Sequence, residues 1–126
     1  MNKLIIDVTG EKIFLMLIAN KDIYNITEDN TKINYEKLTQ IIHDFLKSNK
    51  LKIIDINKIY LNRGPGSFAG IRNSLSIVKA FYLTNEIDYY CYSFQDFEGE
   101  KDLSHENIPY LCEKFKIEKN LINPIY

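Results

Sequence analysis

The sequence predicts one α/β domain on a mixed five-stranded sheet, and three observations carry that expectation. Leu4 to Thr27 reads as three β-rich runs joined by short turns, a meander. Tyr35 to Ser48 and Phe68 to Leu83 carry apolar residues at helical spacing. Lys58 to Asn62 and Tyr89 to Tyr92 are further short apolar runs that alternate with those helices, the pattern of parallel pairing.

Taken in order, Leu4 to Val8 is the first strand, Gly10 and Glu11 the turn, and Lys12 to Ala19 the second strand. That second strand is apolar at consecutive positions, so both of its faces are expected to be covered. Ile23 to Thr27 alternates apolar with polar and completes the meander. Tyr35, Leu38, Ile41, Ile42, Phe45 and Leu46 mark one amphipathic helix with Asn34 as N-cap. Leu51 to Ile56 reads as a short helical or irregular link with Asp55 exposed. The second helix, capped by Ser67 and stopped near Asn85, is apolar on more than one stripe. Such a helix is either fully enclosed or has a second partner, and in so small a chain a partner is expected. Gln95 to Glu106 is charged and loop-like, Ile108 to Phe115 is one more helix, and 96–126 is expected to be a short remnant or tail.

The chain has 126 residues, 45% of them hydrophobic, enough for one real core. Its 16 basic and 17 acidic residues nearly cancel, which argues against a broad cationic nucleic-acid face. The longest apolar run, Ile13 to Ala19, falls far short of the about 20 residues a membrane span needs. A cytoplasmic location is expected, with Cys91 and Cys112 as buried thiols.

The most informative stretch is Asn62 to Arg72, NRGPGSFAGIR, between a strand and a helix. It is not a Walker A loop, because the spacing is wrong and no lysine follows Gly70. Gly64, Gly66 and Gly70 also miss the dinucleotide fingerprint by one position. Pro65 followed by Gly66 suits a type II turn, Ser67 suits a cap, and Gly70 permits close helix-to-strand packing. A tight corner without ligand and an anion site at the helix start remain alternatives on these residues alone.

The run Gly64-Pro65-Gly66-Ser67-Phe68-Ala69-Gly70-Ile71-Arg72 resembles the G-P-G-S-F-T-G-L-R signature of the TsaB (YeaZ) family. Lys79 matches the lysine of the family's A-x-A-K-G-L continuation, with Ala80 in place of the glycine. Leu4-Ile5-Ile6-Asp7-Val8-Thr9 is similar to its opening strand I-D-T-S, with Val8 for the first threonine. Glu36 and Leu38 fall in its first helix, and Ser93-Phe94 where a serine-leucine follows its fifth strand. The resemblance covers residues 1–95 and implies a single lobe of the actin-like, ribonuclease H-like (ASKHA) class. Family members carry a second lobe; here only 96–126 follows.

The resemblance implies a non-catalytic accessory subunit for threonylcarbamoyladenosine modification of tRNA next to the anticodon. Its partners would be a TsaD-like protein and a TsaE-like ATPase, with tRNA met only through the complex. The implied interface is Tyr35, Leu38, Ile42 and Phe45 on the first helix and Arg72, Leu75, Ser76, Lys79 and Tyr82 on the second. Gly64, Pro65, Gly66, Ser67, Phe68 and Gly70 form the structural corner. A homodimer through the same helices, or a small actin-like nucleotide-binding protein using Asp7 and the Gly64 to Gly70 turn, are the alternatives.

Other chemistry is not expected. His43 and His105 have no metal-ligand spacing, so no metal or cofactor is called for. Ser67 lacks an evident base and is better read as a cap than as a nucleophile. Asp96, Glu98, Glu100 and Asp102 read as a solvated acidic loop, and Arg63 and Arg72 as partners of nearby acids.

Overall fold

The computed structural model describes residues 1–126. The strands are β1 (Asn2–Asp7), β2 (Lys12–Ala19), β3 (Asp22–Asp29), β4 (Lys58–Asn62) and β5 (Asp88–Tyr92). They form one mixed sheet in the order β3-β2-β1-β4-β5. β1, β2 and β3 pair antiparallel as the meander, and β4 and β5 join parallel to β1. The helices are α1 (Lys32–Glu36), α2 (Leu38–Ser48), α3 (Phe68–Asn85) and α4 (Ile108–Lys114), with short 3-10 turns at Ile53–Asp55, Phe94–Asp96 and His105–Asn107.

The first helix is broken where one continuous element is expected. Thr31, not Asn34, caps α1, its hydroxyl accepting from the Asn34 amide at 3.3 Å. Lys37 then leaves helical geometry, with φ −101° and ψ 15°, and donates its amide to Asn34 O, a tighter turn than the α-helix. Leu38 follows it fully buried, so the break lets α2 start on a core residue.

Strand alternation sorts the apolar side chains onto two faces. Leu4, Ile6, Ile13, Leu15, Leu17, Ile59 and Leu61 face α2 and α3, whose Leu38, Ile42, Phe45, Leu46, Ile71, Leu75, Val78 and Phe81 close the larger core. Ile5, Met16, Tyr60 and Tyr92 face the opposite side, where Phe97, Ile108, Leu111 and Cys112 cover them. Part of the segment after Phe94 therefore packs across the sheet, completing the coverage expected of β2. Cys91 and Cys112 are free thiols in the two different cores, and burial pushes each up to about 12. No helix is long and apolar enough to cross a membrane.

Candidate partner face and glycine corner

The corner after β4 is built by close backbone approach. A Cβ at Gly66 would lie 2.2 Å from Thr9 O, one at Gly70 2.3 Å from Val8 O, and one at Gly64 1.9 Å from Ile125 O. Each glycine thus makes room for another strand's or tail's backbone. The Ser67 amide donates to Thr9 O at 2.8 Å, and the Ile125 amide to Arg63 O at 2.8 Å. Those bonds run to other segments instead of across the corner. Gly66 has φ +158°, whereas the expected type II turn wants about +80° there, so that turn does not form. Ser67 does cap α3, its hydroxyl accepting from the Gly70 amide at 3.2 Å.

Asp7, at the end of β1, is the one buried carboxylate. One oxygen accepts from the Thr9 hydroxyl at 2.7 Å and the Thr9 amide at 3.1 Å. The other meets Asn62 Nδ2 at 2.9 Å and His105 Nε2 at 3.0 Å. Burial pushes the carboxyl up, but the bonds from His105, Thr9 and Asn62 outweigh it and hold Asp7 below the usual carboxylate range. The His105 ring lies against Phe14, with centroids 4.2 Å apart. Tyr92 is wholly buried, and its hydroxyl has no partner.

Arg63 pairs with Asp96 at 2.7 Å and donates to Asn123 O at 2.9 Å, and Glu100 pairs with Lys114. Two members of the expected solvated acidic loop are therefore structural tethers. No three His, Cys, Asp or Glu side chains gather as a ligand set.

The residues expected at a partner interface divide into two groups. Leu38, Ile42, Phe45 and Leu75 are at most 4% exposed and belong to the chain's own core, a correction that follows from their packing against the sheet. Tyr35 and Tyr82 are half-buried at the core's margin, while Arg72, Ser76 and Lys79 are exposed. Phe68, expected in the corner, and Leu83 extend this exposed set, at 58% and 73% exposure. Phe68, Arg72, Ser76, Lys79 and Leu83 recur every three or four residues, so they form one stripe along the outside of α3. Neither Arg72 nor Lys79 has an acidic partner in the chain. At one end Phe68 meets Tyr126, with centroids 4.6 Å apart.

Sequence spacing alone had no means of finding the Asp7 to His105 contact, which joins residues 98 positions apart. Leu83 was legible as surplus apolar surface, but the division of the helix into core and outer stripes needed the sheet.

The family model described as TsaD, tRNA N6-adenosine threonylcarbamoyltransferase, matches residues 28–93. The tRNA threonylcarbamoyladenosine biosynthesis protein TsaB of Buchnera aphidicola subsp. Schizaphis graminum is 30% identical over 84 residues, 67% of this chain and 40% of that protein. The protein of the same name from Buchnera aphidicola subsp. Baizongia pistaciae is 35% identical over 60 residues, 48% of this chain and 27% of that protein. The matches thus span less than half the length of these curated relatives. Among solved structures, YeaZ from Pseudomonas aeruginosa superposes with a TM-score of 0.67 at 20% identity, covering 73% of this chain and 43% of that one. That likeness shows the fold, an α/β lobe on a mixed five-stranded sheet. The chain belongs to the TsaB (YeaZ) family.

Proposed function

We propose that this chain is a non-catalytic accessory subunit that pairs with a TsaD-like protein, with a TsaE-like ATPase docking on the pair, in threonylcarbamoyladenosine modification of tRNA next to the anticodon. The observation that carries the reading is the outer stripe of α3, where exposed Phe68 and Leu83 bracket the unpaired cations Arg72 and Lys79. Aromatic, aliphatic and arginine side chains in one stripe are the composition of a protein interface.

A non-catalytic role is supported by the occupation of the reactive groups. Both Asp7 oxygens accept bonds from within the chain, and the Ser67 hydroxyl serves as a helix cap. At the corner, the Ile125 and Thr9 backbones pack directly against Gly64 and Gly66. Supplying this chain in place of the full-length TsaB in a reconstituted modification reaction tests the reading. Modified tRNA in the presence of the TsaD-like and TsaE-like proteins, and none without this chain, is the expected result. Absence of product in both would contradict the proposed accessory role.

A further inference from the structure

The register of β1, β4 and β5 sets side chains of the second sheet face in rungs. One rung runs Ile5, Tyr60, Tyr90, and the next, toward the start of β1, runs Lys3, Lys58, Asp88. Between these rungs and α4 opens a cleft of about 550 Å³, within the about 300–1,000 Å³ of small-molecule sites.

One feature of the cleft is unfavourable for the chain by itself. Lys3 and Lys58 are direct neighbours across the parallel strands, and like charges placed so destabilise a sheet. Neither has an acidic partner, because the adjacent Asp88 is engaged by Asn120 Nδ2 at 2.9 Å and by Lys119 at 3.8 Å. Tyr60 is only 4% exposed and lines the cleft. Lys116, at the end of α4, adds a third ammonium, and Glu113 is the single carboxylate in the lining. This cationic excess sits in a chain whose net charge is −1.

The floor is aromatic. The Tyr60 and Tyr90 rings stack at 5.2 Å with 15° between their planes, and Lys58 Nζ lies 5.8 Å from the centre of the Tyr90 ring. A ligand that relieves the lysine pair must carry an anion, and one that uses the tyrosines must carry a planar ring. Phosphate joined to an aromatic base meets both demands. We propose that this cleft binds a nucleotide, its phosphate between Lys3 and Lys58 with Lys116 closing from α4, and its base against the Tyr60–Tyr90 pair. The site lies on the face of the sheet opposite α3, so it stands apart from the proposed partner face and neither depends on the other.

Amide chemical-shift mapping on the whole labelled chain tests this, with 5′-AMP, 5′-UMP, inorganic phosphate and a single-stranded RNA tetranucleotide as probes. The expected result is a saturable shift of the amides of Lys3, Lys58, Tyr90 and Lys116 by the mononucleotides, with Kd of about 1 mM or tighter. Phosphate alone should shift the lysines more weakly. Lys58→Gln and Lys116→Gln should each weaken binding about fivefold while leaving distant amides in place. Tyr90→Leu should weaken nucleotide binding but not phosphate binding. Tighter binding of the tetranucleotide would assign the site to an RNA strand, and equal binding to a free nucleotide. No shift by about 10 mM mononucleotide, shifts centred on Gly64 to Gly70, or unchanged affinity in the two lysine variants would overturn the proposal.

Discussion

Asp7 ties three distant parts of the chain, because its two oxygens accept from Thr9, Asn62 and His105. Its carboxyl is held low in the folded chain, so its stabilisation is present above the ordinary carboxylate value of about 3.9 and is lost as pH falls through the lower folded value. Asp7→Asn should therefore lose on the order of 1–3 kcal/mol at pH 7 in urea unfolding, and the gap from the parent should shrink by pH 3. A constant gap across that range would contradict the assignment. Gly70 supplies a second test at this scale. Its missing Cβ would sit 2.3 Å from Val8 O, whereas a Cβ at Gly10 would meet nothing within 4 Å. Gly70→Ala should cost about 1–3 kcal/mol and Gly10→Ala close to nothing, read by the same unfolding measurement. That glycines would matter here was legible in the spacing of the corner. Which atoms they admit was not, because Thr9 and Ile125 arrive from elsewhere in the chain.

At the scale of elements, periodicity served well where one face decides. The meander, β4, α3 and β5 fall where apolar spacing places them, since each buries residues on a fixed repeat. It failed at α1, where Lys37 interrupts a helix whose apolar pattern continues across the break. Nothing in that pattern distinguishes one helix from two, because Tyr35 and Leu38 reach the same core either way. Within α3 the family resemblance drew Leu75 and Arg72 into one implied interface set. Leu75 is 4% exposed, so Leu75→Glu would report on folding, and only the outer stripe reports on a partner.

For the whole molecule, the sheet needs cover on both faces, and the consecutive apolar residues of β2 announced that need. The source of the second cover was not legible, since Gln95 to Glu106 reads as charged loop and Ile108 to Phe115 as an isolated helix. Phe97, Ile108, Leu111 and Cys112 nevertheless bury Ile5, Met16, Tyr60 and Tyr92, while Arg63–Asp96 and Asp7–His105 fasten the segment at its base. A chain ending at Phe94 should expose that apolar face and be recovered as aggregate or with much reduced protection from hydrogen exchange in β1 and β4. Soluble, fully protected 1–94 would show that the segment is dispensable.

The pairing surface is the claim on which the functional account depends, and it can be tested without disturbing the core. The measurement is the affinity of the chain for its cognate TsaD-like protein, for the parent and for Phe68→Glu combined with Leu83→Glu, with the fold of each checked by its melting temperature. The account predicts a complex for the parent and, at unchanged melting temperature, a loss of affinity of about 100-fold or more for the double variant. Equal affinity for both, or no complex with the parent, would contradict it.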